Sequence, residues 1–561
     1  MKEKMNMIVK RVSLTFAFLL GFLTTVVAQP GTVKKTADAA FTLTTFKADG
    51  SILATSNGVC ISTDGIAVSP WKPFVGADKA VIVDAKGQRH DVVCLLGADE
   101  IYNVAKFQVS GKTSAAPLAT TVSANESLWI TPMTKSGNAV KADASSIEKF
   151  MDRYNYTILT SAATDKLNGA PVVNAKGQVI GLFSISGTSQ SATDANYPKD
   201  FVLKGLSQND ASLRQSGLRI GLPHTLEEAV VALMLSSEKP ENVHEAVIKD
   251  FIEKFPQAND GYFALANMQI AKGEISDADK TLQTAIGKAK TKDEAHYNYA
   301  RLVYQNVLIP SLEEKVKAVG WSLDKALGEI QQAQSIKQVD AYRHLQAQII
   351  FAKGDYEKAY TEFEALTRTK FNNPELYLEM AQSRQHLGAT DKEILDLLNK
   401  SIELCDTPYV STSAPYFYTR GQQLEKMGEY RKAIQDYYNT YEYFNQGRLG
   451  AGFYYMREQC EVKGRMWQQA LQDILIASRL DPKEPLYPTE AGSLLLRLNK
   501  MDAAASAARQ AIQLDASLPD AYLILGIAQC ENKQKAEGFR NIQKAKELGN
   551  KQAETFLQKY K

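Results

Sequence analysis

Lys353-Gly354-Asp355-Tyr356-Glu357-Lys358-Ala359 and Met427-Gly428-Glu429-Tyr430-Arg431-Lys432-Ala433 are two versions of one pattern. Each places a Gly at the end of an amphipathic segment, a Tyr just beyond it, and an Ala in the next segment. A Gly there caps a helix in a conformation that a side chain would strain. Small residues at fixed points let neighbouring helices touch, and large residues beside them fill the remaining space. Reading outward, related spacings recur at Tyr262, Ala266, Gly273 and Ala278; at Phe417, Gly421, Leu424 and Tyr437; at Ala470, Ile474 and Ala477; at Ala504, Ala508 and Ala511; and at Tyr522, Gly526, Ile542 and Ala545. From Thr225 to Lys561 the hydrophobic period is helical, broken by Gly or Pro at short turns. The stretch 303–337 departs from the period and lengthens one unit, and Ala553 to Lys561 reads as a terminal cap helix.

This half resembles the tetratricopeptide repeat (TPR), a helix–turn–helix of about 34 residues. The resemblance implies about seven or eight repeats over 225–561, stacked as an all-α solenoid that takes a protein or peptide ligand in a groove lined by the first helix of each repeat. In the family's register the groove-facing residues include His344, Gln348, Leu378, Gln382, Tyr418 and Gln422. The Lys, Asn and Arg set with which chaperone-binding members clamp a C-terminal carboxylate is missing. The aromatics crowded into 409–467, among them Tyr416, Tyr437, Tyr443 and Trp467, read mainly as helix-packing core. A minority is left that could form a patch for peptide or glycan.

Upstream the period changes. From Ala39 to Phe201, short runs such as Phe41-Thr42-Leu43-Thr44-Thr45-Phe46, Val81-Ile82-Val83 and Val179-Ile180-Gly181-Leu182-Phe183 alternate with Gly and Asp turns. Many short strands with such turns indicate a barrel or sandwich. Ser184 to Pro223 is polar and reads as the domain's last loops plus a linker. The expected organisation is therefore a leader over 1–28, a β domain over 29–200, a linker over 201–224 and the repeats over 225–561.

Three frames in the β half carry a second resemblance. The first is Asn57-Gly58-Val59-Cys60-Ile61-Ser62-Thr63-Asp64-Gly65-Ile66-Ala67-Val68-Ser69-Pro70-Trp71-Lys72. The second is Leu95-Leu96-Gly97-Ala98-Asp99-Glu100-Ile101-Tyr102-Asn103-Val104-Ala105. The third is Lys166-Leu167-Asn168-Gly169-Ala170-Pro171-Val172-Val173-Asn174, followed by Gly177-Gln178-Val179-Ile180-Gly181. In order and spacing these resemble the trypsin-like peptidases, most closely the HtrA/Deg type, and imply a double β-barrel. The fold class expected for the whole chain is thus multidomain: an all-β trypsin-like double β-barrel followed by an all-α TPR solenoid.

The resemblance also marks what has changed. Lys72 stands at the family's catalytic His, Asn103 at its Asp, Asn168 at its nucleophile and Lys166 at a Gly that shapes the oxyanion hole. An amide is not an acyl-transfer nucleophile. A lysine that is not deeply desolvated is charged near pH 7. Asn103 cannot stabilise an imidazolium as a carboxylate does. His90 falls in a polar turn away from the expected catalytic point. These changes imply a pseudoenzyme that acts as an exported protein-binding scaffold. The alternative is a serine-type endopeptidase with rearranged chemistry, using Ser161 or Thr164 with Lys72 as base.

The remaining features bound the setting. Lys2, Lys4, Lys10 and Arg11 precede an uncharged apolar run, Leu14 to Val27, that ends in Val26-Val27-Ala28. This pattern is that of a secretory signal peptide, too short to span a bilayer, so export to the periplasm or beyond is expected. A net charge of +2 gives no case for nucleic acid. The five cysteines are widely spaced with no CxxC, so neither a metal site nor another cofactor is expected. Cys60 and Cys94 either form a bridge or are two buried thiols.

Overall fold

The computed structural model describes residues 30–131 and 138–561; the expected signal peptide lies outside the described residues. The chain divides into two compact units, residues 1–291 and 292–561.

The first unit opens with two closed antiparallel barrels. The first comprises β1 (Ala40–Phe46), β2 (Ile52–Cys60), β3 (Ile66–Ser69), β4 (Lys79–Asp84), β5 (Arg89–Asp99) and β6 (Val104–Val109). The second comprises β7 (Ser127–Ile130), β8 (Val140–Phe150), β9 (Tyr154–Ser161), β10 (Pro171–Asn174), β11 (Val179–Ser186) and β12 (Ser189–Asp194). Round the first barrel the order is β1-β2-β3-β6-β5-β4, and the second repeats it as β7-β8-β9-β12-β11-β10. Closure leaves no unpaired strand edge.

The two-residue period of each strand decides what fills each barrel. Phe41 and Leu43 point inward from β1 and meet Trp71, Phe74, Leu95 and Phe107. Leu128, Ile130, Leu159, Val172 and Phe183 fill the second barrel. A third core joins the barrels: Val59, Val68 and Val104 of the first pack with Trp129, Val173 and Val179 of the second.

The segment expected to be a linker does not hang free. Gly217 N–H donates to Ala77 O, Leu95 N–H to Arg219 O and Gly221 N–H to Leu95 O, so residues 217–221 run parallel to β5. Leu203, Leu213, Leu218 and Ile220 join the first barrel's apolar cluster. The polar composition of this segment hides four isolated apolar plugs that strap it to the barrel. Cys60 and Cys94 are both buried and free.

Helices follow from Leu226. In the first unit Leu226–Ser236 pairs with Glu241–Lys254, and Asn259–Ala271 with Ile275–Lys288. In the second unit Lys292–Val307 pairs with Leu323–Ile336 across an insertion carrying the short helix Glu313–Ala318. The pairs Asp340–Ala352 with Tyr356–Leu366, Pro374–His386 with Asp391–Glu403, and Ala414–Lys426 with Tyr430–Asp436 come next. Then come Ala451–Lys463 with Trp467–Leu480, Leu486–Arg497 with Met501–Leu514, Pro519–Glu531 with Lys535–Glu547, and a final single helix, Ala553–Tyr560. Among the described residues this makes nine antiparallel pairs, more than the seven or eight repeats expected. None of these helices is long and apolar enough to cross a membrane.

The two opening motifs behave as their glycines dictate. Gly354 and Gly428 take positive φ, 87° and 79°. The following N–H groups, of Asp355 and Glu429, return to Ile350 O and Leu424 O and close the helix ends as Schellman caps. One pair departs from regularity: after Asp436 the helix continues as a π-turn over Tyr437–Glu442.

Candidate functional site

The seam between the barrels brings together the segments that carry Lys72, Asn103 and Asn168. Lys72 begins the one-turn 3-10 helix Lys72–Phe74 that follows β3. Its backbone N–H donates to Asn103 Oδ1 at 2.8 Å. Asn103 sits in the turn between β5 and β6 with φ of 50°, a left-handed conformation that Asn tolerates better than most residues. Rings hold that turn in place: Tyr102 stacks on Phe150 at 4.1 Å and meets Tyr197 edge-on, while the Tyr197 hydroxyl donates to Asp99 Oδ2 at 2.6 Å.

Asn168 reaches the same seam from the second barrel. Its carbonyl accepts from the Asn57 backbone N–H, from Asn57 Nδ2 at 2.9 Å and from the Ser56 hydroxyl. Asn57 Nδ2 also donates to Lys166 O at 3.0 Å. The next residue, Gly169, has φ of 85°, and a Cβ there would stand 2.3 Å from Asn57 O and 2.7 Å from Pro70 Cδ. Only glycine allows the turn to approach so closely, and Pro70 lies two residues before Lys72. Lys72 and Asn103 therefore touch directly, and Asn168 docks beside the segment that carries Lys72.

The turn that bears Asn168 is closed upon itself. Leu167 N–H donates to Thr164 O, Asn168 N–H to Asp165 O and Ala170 N–H to Leu167 O, while Gly169 N–H donates to Phe183 O. An oxyanion hole needs backbone donors aimed at open space, and the Asn168 N–H is spent on Asp165 O within the 3-10 turn Asp165–Leu167. Asn168 Oδ1 is buried with no hydrogen-bond partner among the described residues, as is the indole N–H of Trp71. The Lys72 and Lys166 side chains are exposed.

The rearranged-hydrolase residues are differently placed. The Ser161 hydroxyl donates to Gln190 Oε1 at 2.7 Å and accepts from Ala163 N–H. Thr164 is exposed at the start of the turn. None of these bonds involves Lys72. His90 is buried in the wall of the first barrel, its Nδ1 on Ser110 O at 2.7 Å and its Nε2 3.6 Å from Asp84.

In the helical half the six groove-facing candidates separate. His344 is buried, in contrast to the groove position expected for it: Nε2 lies 2.6 Å from Glu379 Oε2 and the ring packs on Phe363 and Phe371. Gln348 Nε2 donates to the other oxygen of Glu379 at 2.7 Å. Leu378 packs on the apolar cluster of Ala381, Ile394 and Leu398. Tyr418 packs against Tyr437 and Tyr441. Gln382 and Gln422 come together, lining one cleft of about 240 Å³ with Thr419 and Lys426.

Glu379 was absent from the sequence reading, and so was a larger feature. Arg457, Glu458, Glu461 and Asp473 are all at most 2 % exposed in one helix pair. Arg457 donates through Nε and Nη2 to the two oxygens of Asp473 and through Nη1 to Glu442, which the π-turn presents. A similar bidentate pair, Arg420 on Asp436, occurs at the same spacing one helix pair earlier. Burial, reinforced by the Asp473 charge, pushes the Glu461 carboxyl up to about 8. Burial, reinforced by Glu490, pushes Glu458 up to about 7. The signal was present in the sequence: Glu458 occupies the register position held by Ala266, Ala347, Ala381 and Gly421 in other pairs.

Among the described residues no group of three or more His, Cys, Asp or Glu is disposed to hold a metal ion. No protein-family model matches the chain, and no curated protein matches it significantly.

Proposed function

We propose that this protein is a non-catalytic, exported binding scaffold: a trypsin-like double barrel that has lost its triad, joined to tetratricopeptide-type helix pairs that hold a protein or peptide partner. The observation that carries this reading is Asn168. By the resemblance it stands at the nucleophile, it has an amide in place of a hydroxyl, and its backbone N–H is consumed by Asp165.

The helix pairs support the second half of the reading. In the first unit, Leu233, Met234, Phe263 and Met268 line a cleft of about 700 Å³ between the helices Leu226–Ser236 and Asn259–Ala271. Met234 is 68 % exposed there. An adaptable apolar side chain in an open cleft between first helices suits a peptide ligand.

The test measures both halves on the full mature chain. Incubation with casein and with a fluorophosphonate probe is expected to give neither cleavage nor labelling. A randomised peptide library is expected to yield sequences that bind saturably and lose affinity on Met234→Glu. Probe labelling that disappears on Ser161→Ala would replace this reading with the hydrolase.

A further inference from the structure

A cavity of about 840 Å³ lies on the outer face of the first barrel, walled by β3, β5 and β6, by the strap over 199–224 and by the helix Glu241–Lys254. The two-residue period of β6 sends Phe107 and Val109 into the barrel core and Lys106 and Gln108 outward into this cavity. Lys106 Nζ donates to Lys199 O at 2.7 Å and to Phe201 O at 2.9 Å. Lys254 enters from the helix and its Nζ donates to Leu222 O at 3.2 Å. Backbone carbonyls are the only acceptors of either ammonium among the described residues, and neither forms an ion pair.

Arg219, in the same wall, is paired with Asp250. The other two carboxylates of the lining, Asp64 and Glu253, are solvent-exposed. Burial lowers the pKa of Lys106 and of Lys254. His224 is lowered by burial and then by the charges of Lys254 and Lys106, so it stands within the field of both. Asp200 acts on Lys106 and Asp250 on Lys254 through their charge, but neither carboxylate hydrogen-bonds the ammonium, so both ammoniums keep donor capacity for an arriving anion. Ile66, Leu96, Phe201 and Leu203 form an apolar wall beside them, the kind of surface that covers a hydrocarbon chain.

We propose that this cavity binds a carboxylate carried on an apolar chain, a fatty-acid-like amphiphile, with its head group on Lys106 and Lys254 and its chain along Ile66, Leu96 and Leu203. The cavity shares no lining residue with the cleft around Met234.

Calorimetric titration of the full mature protein with decanoate, with decanol and decyltrimethylammonium as controls, tests the assignment. Decanoate is expected to bind saturably at one site, about tenfold or more tighter than decanol, and to weaken by about tenfold on Lys254→Met. Lys254 is exposed, so that variant leaves the fold intact. A second measurement is independent of any variant: the His224 ring, followed by NMR, is expected to titrate at higher pH when decanoate saturates the protein. Decanol bound as tightly as decanoate, no saturable decanoate binding, or a His224 titration unmoved by saturating decanoate would each overturn the proposal.

Discussion

The backbone N–H of Lys72 donates to the side-chain oxygen of Asn103 across 2.8 Å of the barrel seam. The bond ties the turn after β3 to the turn before β6 through the side chain of one residue and the main chain of the other. It uses nothing of the Lys72 side chain, which is exposed. Asn103→Ala removes the acceptor and leaves a residue with a poorer fit to φ of 50°. A loss of about 1–3 kcal/mol is expected, read as a lower midpoint for the barrel transition in scanning calorimetry. Asn103→Asp keeps the acceptor and is expected to stay within about 0.5 kcal/mol of the parent.

Installing trypsin-like side chains at the seam is expected to give no hydrolase. Lys72→His, Asn103→Asp and Asn168→Ser together supply the three side-chain types. They do not free the N–H at position 168, which Asp165 O holds inside the 3-10 turn. Without that donor a tetrahedral oxyanion loses roughly 3–4 kcal/mol of stabilisation. The triple variant is therefore expected to show no burst of labelling by a fluorophosphonate. Labelling at position 168 would mean that the turn reopens when a hydroxyl is present.

Gly169 fixes the docking of one barrel on the other. An alanine there must adopt φ of 85° and place its Cβ 2.3 Å from a main-chain oxygen, which cannot rotate away as a side chain would. Gly169→Ala is expected to cost roughly 2–4 kcal/mol. Gly87→Ala, with φ of 81° but open space around it, provides the comparison. It is expected to cost only the conformational part, about 1 kcal/mol. Equal losses at the two sites, measured by calorimetry, would show that contact at the seam contributes nothing.

Much of this was legible because it is periodic. Phe41 and Leu43 alternate with threonines and so declare a strand, and Gly354 and Gly428 stand where helices must end. The strap was hidden because Leu203, Leu213, Leu218 and Ile220 have no period: each plugs the barrel singly, and the hydrogen bonds to Ala77 and Leu95 that hold residues 217–221 exist only in the folded barrel. The frames around Lys72, Asn103 and Asn168 are visible in the sequence, whereas the closure of the turn at Asn168 depends on backbone geometry that the sequence does not display. His344 has a groove register on its own helix. Its burial is set by Glu379 and Phe371, contributed by chain that follows it.

The buried carboxyls predict an unusual pH dependence. Glu461 and Glu458 are raised by burial first, to about 8 and about 7, from an ordinary Glu value near 4.5. The folded helix pair therefore binds protons more readily than the unfolded chain does. Stability from these groups is fully present below about pH 4.5 and is lost as pH rises through 7 to 8. Calorimetry of the full chain is expected to show the helical transition falling in temperature between pH 5 and pH 8. Glu461→Gln keeps the shape and stays neutral. It is expected to raise that transition at pH 8, to leave it nearly unchanged at pH 5, and to flatten the slope between them. The same slope in the parent and in a Glu458→Gln, Glu461→Gln double variant would assign the pH dependence to other groups and remove this account. Lowered stability of Glu461→Gln at pH 8 would mean that the ionised carboxylate, supported by Arg457, is the form the fold requires.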